Sequence, residues 1–154
     1  MDAVDRHLRR AVPDNAQAIS DLVEAAYAEY VERIGRRPAP MDVDYVDEIA
    51  TKEIWVLPGA GRPDTVLVVH AEADHLFVHN IAVVPERRGE GLGRALLEFA
   101  ERRAAELGVP EFRLLTNELM TENRAMYEHL GWEEVERRAE HGYSRVYFRK
   151  HVPA

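Results

Sequence analysis

The stretch "VVPERRGEGLGRALLEFA", residues Val83–Ala100, sets Gly89, Gly91 and Gly93 directly ahead of an Ala- and Leu-rich run. Glycine loses more conformational freedom on folding than any other residue, so three within five positions imply a compensating use. Downstream, Leu92, Leu96, Phe99, Ala100 and Leu107 recur at helical spacing, and Gly108 and Pro110 supply stop signals. Upstream, "HLFVHNIAVV" reads as a strand. The stretch is therefore a strand end, a glycine turn and a helix start. In that setting backbone N–H groups converge and the helix dipole points the same way, which makes a cradle for an anion, most often a phosphate.

Three other readings of the glycines fare worse. A P-loop needs Gly-Lys followed by Ser or Thr, and here Gly93 is followed by Arg94 and Ala95. A dinucleotide fingerprint needs G-x-G-x-x-G in an early βαβ unit, whereas this spacing is G-x-G-x-G after antiparallel strands. A tight turn without a ligand leaves the flanking Arg87, Arg88 and Arg94 unexplained.

Outward from this stretch the pattern stays αβ throughout. His7 to Val12 reads as a short strand, and Asp14 as the N-cap of a helix whose core face is Ile19, Leu22, Val23, Ala26, Tyr27 and Tyr30. "GRRPAPM" breaks that helix, and the acidic Asp42 to Ile49 reads as a second short helix or turn. "KEIWVL", "TVLVVHA" and "HLFVHNIAVV" form an antiparallel meander. The glycine-led helix then crosses over to "EFRLLT", which makes that pairing parallel. A helix capped by Thr121 and closed by Gly131, and a hairpin around His141-Gly142, complete the chain. The expected fold class is α/β (α+β): a mixed sheet of about seven strands with helices on both faces, in a single domain over residues 1–154.

The totals narrow the function. Asp and Glu outnumber Lys and Arg by 28 to 20, a formal charge of -8, which disfavours nucleic acid and anionic membranes as partners. The absence of cysteine removes thiolate nucleophiles and Cys-ligated metals. Neither a leader nor an apolar run of spanning length is evident, so a cytoplasmic location is expected. His7, His70, His75, His129, His141 and His151 show no ligand spacing, and no metal is expected.

These residues resemble the GNAT superfamily of acyl-CoA-dependent N-acyltransferases. That family's pyrophosphate loop has Gln or Arg, two residues, Gly, one residue, then Gly or Ala; Arg88-Gly89-Glu90-Gly91-Leu92-Gly93 fits it, between "IAVVP" and an amphipathic helix. A second family block resembles "NRAMYEHLGW", with Asn123, Tyr127, Gly131 and Trp132 in place and the tyrosine one residue nearer the asparagine than in the commonest spacing. The resemblance implies acetyl-CoA as donor, its pyrophosphate on Arg88 to Gly93 beside Arg94, and its pantetheine arm along Ile81, Ala82 and Val83. Asn117 and Asn123 are assigned to the same cosubstrate.

Acyl transfer from a thioester to an amine needs a neutral amine, a polarised carbonyl and a proton for the leaving thiolate. Asn123 and Tyr127 stand four apart and share a helix face, so Tyr127 is the candidate proton donor and Asn123 a holder of the pantetheine arm. His79 occupies the place where many family members carry a Glu, and serotonin N-acetyltransferases a histidine. It is the candidate proton relay, with Asp44, Glu90 or water as alternatives and a purely structural histidine equally open. Asp44 and Tyr45, with Tyr27, are expected to line the acceptor pocket beside Asp42, and Trp55 to join that wall or the core. A carboxylate and a ring there favour a small cationic amine. Protein N-terminal or lysine acetylation, and a catalytically silent acyl-CoA-binding module, remain as alternatives. A homodimer is compatible with the sequence.

Overall fold

Thr65 to Val69 are five consecutive buried residues, the pattern of a strand covered on both faces. That strand lies inside one mixed sheet in the computed structural model of the chain, which describes residues 3–153. The strands are β1 (Arg9–Arg10), β2 (Glu53–Leu57), β3 (Thr65–Ala71), β4 (Leu76–Val83), β5 (Glu111–Asn117), β6 (Glu133–Glu140) and β7 (Tyr143–His151). They lie in the order β1-β2-β3-β4-β5-β7-β6. Only β4 and β5 pair in parallel; every other pairing is antiparallel. The sheet is thus the mixed one expected, with β7 inserted between β5 and β6.

Helices cover both faces. On one side α2 (Ala16–Ile34) buries Ile19, Leu22, Val23 and Ala26, with α3 (Tyr45–Thr51) adding Tyr45, against Ile54, Val56, Val66, Val68, Ala82 and Val84. On the other, α4 (Leu92–Glu106) buries Leu92, Leu96, Leu97, Ala100 and Ala104 on Leu67, Val69, Leu76, Val78 and Leu114. Each fully buried Leu or Ile contributes about 1.5–3 kcal/mol, so the two apolar stripes dominate the packing. The helix α5 (Thr121–His129) places Tyr127 in the second layer, with Trp132 and Phe148 around its ring.

Several local expectations are corrected. The first strand is two residues long and follows a helical turn, α1 (Ala3–His7). Pro13–Asn15 form a 3-10 turn, closed by the Asn15 side chain accepting from the Val12 amide, so α2 begins a residue later than expected with Asn15 rather than Asp14 at its N-cap and no side-chain cap bond. Thr121 begins α5 but does not cap it; its hydroxyl donates to Glu122. Gly35, Gly108 and Gly131 follow their helices with positive φ, and His141 (φ 52°) and Gly142 (φ 81°) turn the last hairpin. No helix among the described residues is long and apolar enough to cross a membrane. Residues 1, 2 and 154 of the expected domain lie outside the described residues.

Candidate active site

The parallel ladder between β4 and β5 covers only Leu76–Val78 opposite Phe112–Leu114. Beyond it the strands part, while β4 stays paired with β3 through Ile81, Ala82 and Val83. The edge of these residues that faces β5 is left without a strand partner. An extended ligand with amide groups can pair with such an edge as an extra strand does.

Just past that edge the glycine loop opens. Gly89 and Gly91 have φ values of 84° and 79°, and a Cβ at either would meet nothing within 4 Å. Gly91 is the N-cap of α4, and no side chain caps the helix. The first-turn amides therefore face a cleft of about 1310 Å³, counted out to its open mouth, bordered by Ile81–Val83, the loop, Asn123 and Tyr127. Uncapped amides, open glycines and the dipole suit a pyrophosphate. The arginines divide their work. Arg87 pairs with Asp64 and Glu90, and Arg88 binds Glu29 and the Ala26 carbonyl, which ties the loop to α2. The Arg94 side chain is 62% exposed, and its one ion pair among the described residues is a long contact with Glu98 at 3.9 Å, so it is the loop arginine freest to meet phosphate. Glu90 faces Arg87 and does not border the cleft.

A second recess, about 650 Å³ to its mouth, occupies the gap between the splayed strands. It shares Tyr27, Ile81, Asn123 and Tyr127 with the cleft. Tyr127 is 3% exposed, and burial pushes its hydroxyl well above the usual phenol range. That hydroxyl has no hydrogen-bond partner among the described residues, although it borders both spaces. It remains protonated across the ordinary pH range and free to donate.

A β-bulge aims His79 into the recess. Val68 pairs with Asn80 and Val69 with Val78, so His79 is the extra residue. Strict alternation would put Asn80 and His79 on opposite sides. Instead Val78 and Ile81 both face the α4 layer, and residues 79 and 80 turn together toward α2 and α3. Asn80 is held there by Tyr27, whose hydroxyl donates to Oδ1 at 2.7 Å, and it donates Nδ2 to the Tyr45 hydroxyl at 3.1 Å. The Tyr45 hydroxyl in turn donates a hydrogen bond to the Pro40 carbonyl at 2.7 Å. Burial, then the Lys52 ammonium and His70, push His79 down to about 4 against the opposing pull of Glu48 and Glu72. Because more than a third of the residue is open to water, part of that shift is screened, but its direction makes the imidazole neutral at pH 7.

The sequence and fold comparisons identify the family. A family model for the acetyltransferase (GNAT) domain matches residues 44–134. A relative in Escherichia coli (strain K12), the uncharacterized N-acetyltransferase YjgM, is 33% identical over 138 residues, covering 84% of this chain and 83% of its own. The chain belongs to the GNAT acetyltransferase family. Two solved structures share the fold. A Desulfovibrio desulfuricans protein described as a GNAT-family acetyltransferase superposes with a TM-score of 0.78 at 21% identity, over 95% of this chain and 98% of that one. The PaiA N-acetyltransferase of Thermoplasma acidophilum, solved with coenzyme A, gives 0.77 at 12% identity, over 94% and 97%. The chain is an acetyl-CoA-dependent acetyltransferase.

In this GNAT enzyme the acidic stretch stands apart from the recess. Asp42 is engaged by Arg37, and Asp44 caps α3, accepting from the Val46 and Asp47 amides at 2.9 and 3.4 Å. Tyr45 is 4% exposed and touches the recess wall through Asn80 and the Pro40 carbonyl without bordering the space itself. Trp55 lies on the α4 side of the sheet, its ring 4.9 Å from Phe99. Tyr27 borders both spaces, whereas Asn117 borders the recess and not the cleft. The recess wall comes instead from Pro38–Pro40, Met120, Tyr143 and Arg145, which no local motif marks. Asp44→Ala is accordingly expected to cost about 1 kcal/mol as a lost cap, a melting shift of roughly 2–4 °C, with the acceptor KM unchanged. Thermal melts beside steady-state rates check it; a raised KM at unchanged stability would return Asp44 to the site.

Proposed function

We propose that this single-domain enzyme moves the acetyl group of acetyl-CoA to the primary amine of a small molecule by direct attack. The meeting of cleft and recess at Tyr27, Ile81, Asn123 and Tyr127 carries this reading, because a thioester lying along Ile81–Val83 from a pyrophosphate at Gly89–Gly93 ends at that junction. The amine nitrogen then approaches from the recess. The loop Gly35 to Met41 and the β6–β7 hairpin meet over it, since the Tyr143 hydroxyl donates to the Arg37 carbonyl at 2.5 Å and Arg36 to the His141 carbonyl at 3.3 Å. Such a roof favours a small acceptor over a peptide.

The acceptor ammonium loses one proton to water, relayed by the neutral His79, and its lone pair attacks the thioester carbon. The carbonyl pair moves to oxygen, returns, and breaks the C–S bond. Tyr127 donates its proton to the departing sulfur, whose basicity the same desolvated site raises, and regains a proton as the new amide nitrogen sheds its second. One proton reaches solvent per turnover. Asn123 holds the pantetheine arm, and Asn80 fixes the bulge that aims His79.

Initial rates measured over a grid of acetyl-CoA and amine concentrations test the scheme. Intersecting double-reciprocal lines are expected for a ternary complex, and parallel lines would contradict direct attack. His79→Gln is expected to lower kcat/KM by about ten- to a hundredfold, the loss of a proton relay. Since His79 is held below the usual imidazole range, the wild-type acid limb between pH 6 and 8 belongs to the acceptor ammonium and should survive the substitution. A wild-type limb near pH 6.5 that vanishes in His79→Gln would overturn the neutral relay.

A further inference from the structure

We propose that the acceptor amine also carries a carboxylate, and that Arg145 recognises it. This deepens the acetyl-transfer reading and rests on it. Among the described residues that border the recess, Arg145 is the only formally charged side chain other than the neutral-leaning His79; no Asp, Glu or Lys faces the space. A second ammonium on the acceptor would meet a like charge with no carboxylate in the recess wall, since the nearest one, Glu140, lies outside it.

Arg145 keeps a free face. In β7 the buried Val146 and Phe148 face the α4 layer, so Tyr143, Arg145 and Tyr147 project to the other side. Arg145 stands directly across from Asn117 of β5, its side chain 17% exposed. Its Nη1 donates to Glu140 at 3.2 Å, and its guanidinium carbon lies 5.4 Å from the Tyr143 ring centre. Glu140 is shared, because the Tyr147 hydroxyl donates to the same Oε1 and Arg138 stands 4.0 Å from Oε2. The Nε and Nη2 donors of Arg145 have no protein partner among the described residues, and together they form the fork that grips a carboxylate through two parallel hydrogen bonds. Beside it, Asn117 accepts from the Leu119 amide with Oδ1, which leaves Nδ2 to donate. Val78, Leu114, Leu115, Met120, Pro38 and Pro40 give the wall between these polar ends an apolar share. The fitting molecule has an amine at the Tyr127 end, a carboxylate at Arg145 and an apolar body.

Two matched probe sets test this with acetyl-CoA saturating: L-leucine, L-leucinamide and 3-methylbutylamine, and 4-aminobutanoate, its amide and 1,4-diaminobutane. The carboxylate member of at least one set is expected to have the highest kcat/KM. Arg145→Gln should raise KM for that member by about ten- to a hundredfold, the loss of a charge-assisted fork, and leave its amide and the acetyl-CoA KM within about threefold. Glu140→Gln, which releases Arg145 from its competitor, should lower the KM of the carboxylate member, a gain that a merely structural role for Arg145 does not produce. This second variant decides the matter if Arg145→Gln does not fold. An amide or diamine preferred by the wild type, or an acid-to-amide ratio unchanged in both variants, would overturn the proposal while leaving acetyl transfer intact. Thiol release with no probe acetylated would instead overturn the acetyl-transfer reading, and this inference with it.

Discussion

Gly91→Asp is expected to abolish acetyl-CoA binding in a calorimetric titration, with affinity down by at least about a hundredfold. The reason is electrostatic more than steric. A Cβ at Gly91 has open space around it, and Asp tolerates the left-handed conformation better than most residues. A carboxylate at the N-cap of α4 also lies at the positive end of the helix dipole. The same carboxylate then occupies the amides assigned to the pyrophosphate and repels it. Melting temperature should fall by only a few degrees, the strain of a side chain at φ 79°, while binding disappears, and Gly91→Asn, which carries the same strain without the charge, should lose much less affinity. Unchanged acetyl-CoA affinity in Gly91→Asp would remove the loop from the binding site.

Tyr127→Phe is expected to lower kcat by roughly ten- to a thousandfold, with acetyl-CoA affinity within about threefold. The Tyr127 ring lies 5.9 Å from Trp132 and 5.6 Å from Phe148 between ring centres, and phenylalanine keeps both contacts. No hydrogen bond to the described residues is lost with the hydroxyl, so the change subtracts the proton donor and little else. An acetyl thioester of an aromatic thiol, which leaves without protonation, should restore most of the variant's rate. A wild-type kcat, or a loss that the better leaving group does not repair, would refute the role.

How much of this was readable in the sequence follows how local each signal was. The strand, the Gly89–Gly93 turn and the Leu92 helix are contiguous, and their signals of period, glycine and stop residues agreed with one another. The parallel crossing from β4 to β5 followed from that helix. The place of β7 between β5 and β6 depends on pairing across tens of residues, which periodicity does not encode. The His79 bulge breaks the strict alternation of β4, and its position was not readable because an extra residue leaves no mark in an apolar pattern. Asp44 was drawn toward the acceptor by its charge, although its place just before a short helix also carried the signal of a cap. Arg145 had a readable sign in the alternation of "YSRVYFRK", which turns it away from Val146 and Phe148, but its distance from Pro38–Pro40 in the chain hid the wall they share.

The central claim is that acetyl passes in one step from a thioester in the cleft to an amine in the recess. The most direct measurement incubates the enzyme with deuterium-labelled acetyl-CoA, with and without the amine probes, and follows thiol release together with the masses of amine and protein. One labelled acetyl on the amine for each thiol released, with the protein mass unchanged throughout, is the predicted result; an acetylated protein formed without amine, or thiol release without acetylated amine, would contradict it.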